Sequence, residues 1–320
     1  MDYENLSGEL IWALRGSRSQ SWLSHRLRLR SNLVYRWEAG RAWPTALRLF
    51  AICAALRVPV AERLPAFIAQ PVTFGRLDEA AGLQRFLQHL AGSLSVSDIA
   101  TRTGHSRFVV SRWLSGKTTI RLPDFLHFIQ ATSLRLLDFL ALLVDPSELP
   151  SAARAWARLQ ATRASAYEVP WSHAVLRALE LKDYASSGGQ EGWLAARLGI
   201  GVEEERRALQ LLVQSRQIKK RQGRYHVERA EVVDTSVDPL RRRELRSFWS
   251  RVAIERLERG DPGVHSFNIF TLSEADLPAA RALHVDFFNR LRALASTSKP
   301  SERVLLYCTQ LLALDQSPIE

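Results

Sequence analysis

Along the first half of the chain, apolar residues recur in short clusters that line one face of a helix and then stop at a glycine. In residues 95–117, Ser95 or Ser97 can cap a helix whose buried side is Ile99 and Ala100, and Gly104 can take the left-handed conformation that ends it. Ser106 then caps a second short helix burying Val109, Val110 and Trp113, and Gly116 closes that one. Strongly apolar helices are expected over residues 45–56, after Pro44, and over 122–143, after Arg121, as the bundle that holds the short pair. The second half reads differently: a polar helix over 152–164, helices over 171–184, 191–198 and 202–215, and a break at SSGG, residues 186–189. Residues 217–227, QIKKRQGRYHV, place β-prone arms around Gln222-Gly223, which is hairpin-turn chemistry. Beyond Asp238-Pro239 a basic helix leads to two segments of alternating apolar positions, 264–273 and 303–314, expected as strands either side of a helix over 274–295.

One internal repeat stands out. Residues 19–41, SQSWLSHRLRLRSNLVYRWEAGR, match residues 95–117, SVSDIATRTGHSRFVVSRWLSGK, at an offset of 76. Ser19 pairs with Ser95, Arg26 with Arg102, Val34 with Val110, Arg36 with Arg112, Trp37 with Trp113 and Gly40 with Gly116. The period is too long and the copies too few for a solenoid, so two copies of one small domain are expected. Two short helices joined by a three-to-four-residue turn make a helix-turn-helix pattern. Trp37 and Trp113 recur on its buried face and are expected in the core.

Charge adds a partner class. The 44 Lys+Arg against 33 Asp+Glu give a net +11, and the sequence pI is near 10.3, so a polyanion is the first ligand to consider. Residues 1–75 carry +5, 76–148 +1, 149–230 +6 and 231–320 −1, which makes the last quarter electrostatically distinct. Arg outnumbers Lys throughout, so codon composition explains such an excess as readily as phosphate binding does. A chain 46% hydrophobic and 24% charged is not wholly disordered, and its length suits two or three domains. Two cysteines, Cys53 and Cys308, supply neither a disulfide scaffold nor a multi-cysteine metal site. The acidic N-terminus has no apolar signal region and no long apolar run follows, so a cytoplasmic protein without membrane contact is expected.

The string Ser-Gln-x-x-Leu-Ser, then Leu27, Val34 and Arg36-Trp37-Glu38-Ala39-Gly40-Arg41, with Pro44 and ALRLFAICAALRVPV, resembles the Cro/repressor, or xenobiotic-response-element (XRE), class of helix-turn-helix domains over residues 6–68. The second copy resembles it through Ile99-Ala100, Gly104, Ser106, Ser111-Arg112-Trp113 and Gly116-Lys117, over about 82–145. It has Val96 where the family has Gln and Leu114 where it has Glu, whereas the first copy has Arg28 at the turn glycine and Arg30 at the small cap. In this class the second helix enters the major groove. The resemblance implies base-facing Ser31, Asn32, Tyr35 and Arg36 in the first copy, with Gln20 and Arg41 toward phosphate. In the second copy it implies Arg107, Phe108, Ser111 and Arg112, with Lys117 at the backbone, as a second reader or a backbone clamp. Asn suits adenine N6/N7 and Arg suits guanine O6/N7. Phe108 suits either a thymine methyl or packing against another domain, and Arg26, Arg28, Arg30 and Arg36 suit either phosphate or a solvated face.

Residues from about 82 to 315 also resemble a family of uncharacterised bacterial proteins classed as transcriptional regulators, in which a degenerate helix-turn-helix precedes a winged-helix-like region and a C-terminal domain of unknown function. The landmarks are Trp171-Ser172-His173, LGIGVEEERRALQLLVQSRQIKK, TLSEADLP and the final apolar segment before Asp315. Three helices and a hairpin describe a winged-helix unit. Its third helix opens with Glu203, Glu204 and Glu205, which suit a helix N-terminus but repel phosphate. The wing residues Lys219, Lys220 and Arg221, with Arg224, suit either a nucleic-acid backbone or solvent.

Enzymatic chemistry is not expected. The eight histidines, His25, His89, His105, His127, His173, His226, His265 and His284, show no metal-ligand spacing, and neither a Walker loop nor a Gly-x-Ser-x-Gly elbow occurs. Cys308 is expected as a packed core residue rather than a partner of His265, and His173 as a cap or core contact. The expected protein is mainly α and multidomain, with two helix-turn-helix bundles at 1–70 and 76–148, a winged-helix-like domain at 165–230 and a small α/β C-terminal domain at 238–320. The reading is a DNA-binding transcription regulator of the XRE family, without cofactor or metal, bound to double-stranded DNA as a homodimer in the bacterial cytoplasm and on the nucleoid when bound. The C-terminal domain would serve dimerisation, an effector or a protein partner. The competing reading is a protein-binding adaptor or antitoxin-like regulator whose helix-turn-helix copies contact protein.

Overall fold

The computed structural model describes residues 1–29, 32–68, 72–187, 189–228 and 239–315. Among them the chain is mainly helical, with one two-stranded sheet, and it divides into two compact units, Met1–Leu159 and Gln160–Glu320.

The first unit holds α1 (Tyr3–Arg15), α2 (Gln20–Arg26), α3 (Leu33–Glu38), α4 (Ala46–Ala55) and α5 (Val60–Ile68), followed by α6 (Ala80–Ala91), α7 (Val96–Thr103), α8 (Arg107–Leu114), α9 (Leu122–Ser133) and α10 (Leu136–Leu143). The five helices of each set follow in the same order at the same offset, so the repeat extends well beyond the 23-residue segment in which identities are found. Backbone conformation repeats with it. Gly16 and Gly92 (φ 59° and 53°), Arg28 and Gly104 (53° and 71°), and Gly40 and Gly116 (65° and 70°) are left-handed in pairs. Arg28 therefore adopts the conformation of the turn glycine it replaces, at a cost of roughly 1–2 kcal/mol for a residue with a Cβ.

The two sets do not have separate cores, as independent domains at 1–70 and 76–148 would. Leu6, Leu10, Leu49, Phe50 and Ile52 from the first set and Phe86, Ile99, Phe125, Phe128 and Phe139 from the second belong to one buried cluster. The Phe50 ring packs edge-on against Phe86, Phe125 and Phe139 at 6.4, 5.8 and 6.5 Å between centroids. Between the sets, Thr45 and Arg121 form an antiparallel bridge: Ala46 N–H donates to the Ile120 carbonyl at 2.9 Å and Leu122 N–H to the Pro44 carbonyl at 2.8 Å. The single helix expected over 122–143 is broken at Leu134, which is left-handed (φ 57°), with Ser133 Oγ accepting from Arg135 N–H at 3.1 Å and Gln130 Oε1 from Leu136 N–H at 3.3 Å. That run is apolar on nearly every side, and folding back lets both α9 and α10 bury their residues in the shared core.

A helix α11 (Pro150–Glu168) runs across the limit between the units. The second unit continues with α12 (Trp171–Ala178), α13 (Lys182–Ser186), α14 (Trp193–Leu198), α15 (Val202–Gln214), β1 (Ile218–Arg221), β2 (Arg224–Val227), α16 (Pro239–Glu258) and α17 (Leu277–Thr297). Val175, Leu176, Leu194, Leu198, Ala208, Leu212 and Ile218 form its core. The expected helix over 171–184 is two, α12 and α13, because Leu181 turns extended between them (ψ 137°). β1 and β2 pair antiparallel from Ile218 with Val227 to Arg221 with Arg224, and Gln222 and Gly223 both have positive φ, as a two-residue hairpin turn requires.

Among the described residues of 238–320, the expected α/β architecture is not formed. Neither 264–273 nor 303–314 is a strand, and Val264 (100% exposed), Phe267 (92%) and Leu305 (85%) lie in solvent. Alternation supplies a strand with a face but not with a neighbour, and a strand's backbone groups are satisfied only by a ladder. Cys308, expected in the core of that sheet, is consequently exposed. Among the described residues no helix is long and apolar enough to cross a membrane.

A shared core makes the two helix sets one cooperative element. Phe125→Ala is expected to cost about 3–5 kcal/mol and to lower amide hydrogen-exchange protection in α1 and α4 as much as in α9. Unchanged protection in α1 and α4 would mean that the sets unfold separately.

Candidate nucleic-acid interface

The first surface is built on α2 and α3. Ser19 Oγ caps α2 by accepting from Trp22 N–H at 3.0 Å, and Val34 and Trp37 sink the inner side of α3 into the core. α3 is held to α1 by Arg15, whose guanidinium grips the Glu38 carboxylate with two bonds of 2.6 and 3.1 Å. Gln20 Nε2 donates to the same carboxylate at 2.6 Å, so this expected phosphate ligand is first a brace between α2 and α3, with one amide N–H left over. Asn32 stands at the N-cap position of α3 without making a side-chain capping bond, which leaves its amide exposed. Tyr35 and Arg36 are exposed on the next turn, and the Arg41 guanidinium lies 5.5 Å from the Tyr35 ring centre. Arg30 and Ser31 lie outside the described residues.

The second surface repeats this plan with different chemistry. A reciprocal Ser95-Asp98 capping box starts α7, and Ser106 Oγ caps α8 by accepting from Val109 N–H at 3.3 Å. Hydrogen bonds from Ser95 hold the Asp98 carboxyl below its usual range. Val110 and Trp113 are buried, while Arg107, Phe108, Ser111, Arg112 and Lys117 are exposed. The Arg112 guanidinium lies 5.5 Å from the Phe108 ring centre and its Nε donates to Thr118 Oγ1 at 2.7 Å. Leu114 replaces the bracing glutamate, and its carbonyl takes over the role by accepting from Gln84 and Gln88 Nε2 at 3.2 and 2.9 Å. The loss of the first copy's glutamate is thus compensated by two glutamines that carry no motif signal.

One neighbouring feature is not foreshadowed by any motif. Arg18, Trp22, His25, Arg26 and Arg57 line a cleft of about 720 Å³ beside α2, with the Arg18 guanidinium 5.3 Å from the Trp22 ring centre. Arg57 lies outside the repeat motif, so only the fold brings it there.

In the second unit, Lys219, Lys220 and Arg221 are exposed on β1, but Lys219 pairs with Glu228 at 2.9 Å, Arg221 with the same carboxylate at 3.6 Å, and Lys220 lies 5.2 Å from the Tyr225 ring centre. The three glutamates of α15 separate. Glu205 is buried and accepts from Gly192 N–H at 3.2 Å and Ala195 N–H at 2.7 Å, satisfying the start of α14, while Glu203 and Glu204 stay exposed. Burial, with the Arg177 charge adding to it, pushes His173 down to about 4, so its imidazole is neutral at physiological pH. Burial likewise pushes the Cys53 thiol up to about 12, which keeps it protonated. Among the described residues no group of three or more His, Cys, Asp or Glu could hold a metal ion.

Residues 150–314 match a protein family described as a domain of unknown function (DUF4423). No curated protein and no solved structure matches the chain.

His173 sets a pH dependence for the second unit. Its folded value near 4 lies below an unfolded value of about 6.5, so the unfolded chain binds the extra proton between the two and stability is lost as pH falls through that window. Urea midpoints of the second unit are expected to drop between about pH 6.5 and pH 4, and His173→Gln to remove that slope by an amount on the order of 2–3 kcal/mol. An unchanged slope in the variant would assign it to other groups.

Proposed function

The chain belongs to this family of unknown function, whose matched segment leaves the ten repeated helices outside it, and we propose that those helices make the protein a sequence-specific, double-stranded-DNA-binding transcription regulator. The carrying observation is the pair of surface helices α3 and α8. Each has a valine and a tryptophan sunk, Val34 and Trp37 on one and Val110 and Trp113 on the other, and hydrogen-bonding and cationic residues outward, with Asn32, Tyr35 and Arg36 on the first and Arg107, Ser111 and Arg112 beside the exposed Phe108 on the second. A short helix of this kind, backed by α2 or α7 across a tight turn, is a Cro/repressor-type reader, and its exposed face suits the major groove. Asn32 takes adenine, Arg36, Arg107 or Arg112 takes guanine, and Arg41 and Lys117 take phosphate. Arg30 and Ser31 join the first reader by resemblance.

The second unit fits a winged-helix-like role without groove insertion, because α15 presents Glu203 and Glu204 where a reader helix would meet phosphate. Its hairpin cations Lys219, Lys220 and Arg221 are then at most backbone contacts. The exposed apolar segments at 264–273 and 303–314 suit self-association into a homodimer or the binding of an effector. We assign the protein no catalytic role and no cofactor, and place its action in the cytoplasm, at the nucleoid. Phe108, 68% exposed, is the observation that favours the competing adaptor role, since a large bare aromatic ring also suits a protein surface.

Fluorescence anisotropy on a duplex selected from a random library separates the two. If each copy neutralises about two phosphates, affinity falls about a hundredfold between about 50 and 200 mM salt, at about 0.9 log units per phosphate. Asn32→Ala with Arg36→Ala is expected to cost about 1–3 kcal/mol for each base left unread. No binding at low salt, or binding indifferent to that double substitution, would leave the adaptor role standing.

A further inference from the structure

The two bonds at the Thr45-Arg121 bridge carry more than packing. At the offset of the repeat, residues 44, 45 and 46 correspond to 120, 121 and 122. Ala46 N–H donates to the carbonyl of Ile120, the counterpart of Pro44, and Leu122 N–H, the counterpart of Ala46, donates to the carbonyl of Pro44 itself. Exchanging the copies turns each bond into the other. A shift or a screw along the chain pairs unlike surfaces, whereas an exchange of like for like is the signature of a two-fold axis. Helix contacts obey the same exchange: α5 lies on α10 and α4 on α9, while α1 packs on α9 and, in the image contact, α6 on α4. An arginine also crosses in each direction, Arg63 to the Leu142 carbonyl and Arg135 to the Phe67 carbonyl, at positions that the offset does not relate. The first unit is therefore a pseudo-two-fold pair in one chain, clamped by a common aromatic core.

Resting on the DNA-binding reading above, we infer that a single chain reads an asymmetric inverted repeat in duplex DNA, with α3 on one half-site and α8 on the other. A two-fold relation presents the two readers in opposite senses, which matches the two halves of an inverted repeat. The halves differ because the readers differ: the face of α3 carries Asn32, Tyr35 and Arg36, whereas α8 carries Arg107, Phe108, Ser111 and Arg112 at the corresponding and adjoining positions. Both faces are exposed and cationic, as a polyanionic partner requires. Because the halves are covalently joined, the second contact is intramolecular and needs no second chain. Self-association through the C-terminal segments then joins two complete readers rather than completing one.

The test is selection from a random duplex library with the full chain and three variants, all altered at exposed positions and checked for native helicity. Wild type is expected to select two unlike halves in inverted orientation. Asn32→Ala/Arg36→Ala should erase sequence information in one half only and Arg107→Ala/Arg112→Ala in the other only, each weakening affinity about ten- to hundredfold. R107S/F108N/S111Y, which gives α8 the reader residues of the first copy, should convert the selected site to a symmetric inverted repeat, a gain that misfolding cannot produce. The inference is overturned if the first variant erases both halves and the second neither, which means one reader per chain in a homodimer, or if the halves are in direct orientation. Failure of the wild-type chain to retain any duplex at low salt would instead remove the DNA-binding reading, and this inference with it.

Discussion

Much of the first unit depends on the antiparallel contact at Thr45 and Arg121 and the core behind it. Two short loops exchange one backbone bond each way, and in the core Phe50 meets Phe86, Phe125 and Phe139. α9 and α10 are apolar on nearly every side and α4 buries Ala46, Leu49, Phe50, Ile52 and Cys53, a surface a lone set could not hide. Joining the sets removes that surface from water, and a two-fold arrangement lets the same contact be used twice.

That constraint reaches the candidate interface through a few rigid links. Trp37 and Trp113 fix the inner sides of α3 and α8, and the surrounding polar bonds set their pitch on α1 and α6. The two copies achieve this differently, one with the Arg15-Glu38-Gln20 cluster and the other with Gln84 and Gln88 on a backbone carbonyl. Apart from Gln20, the bracing residues are distinct from the outward ones, so the outward faces differ while the scaffold is the same.

The second unit shows a different balance. Its core of α12, α14, α15 and β1 is compact, and Glu205 is used inside it as a backbone acceptor for α14. Beyond α16, apart from Val304, which packs against the second unit's core, the apolar residues of 264–273 and 303–314 are left outside any core. The family match spans both parts, so the well-packed and the exposed regions belong to one family-defined segment.

Local signals with a local physical cause were legible in the sequence. Caps at Ser19, Ser95 and Ser106, the left-handed Gly104, the Gln222-Gly223 turn and the buried tryptophans all depend on neighbours within a few residues. The repeat was legible over residues 19–41 and 95–117 because identity survives where the turn and the buried tryptophan constrain it. It was hidden across the other helices because core positions accept any apolar residue of suitable volume. The break at Leu134, the replacement of a glutamate brace by two glutamines, and the absence of the expected strands could not be read locally, since each depends on which distant surface is available. What the sequence alone determined was the helices, their outward residues and their charge. The tertiary structure decided that two copies form one body, because burying their shared apolar surface needs both at once.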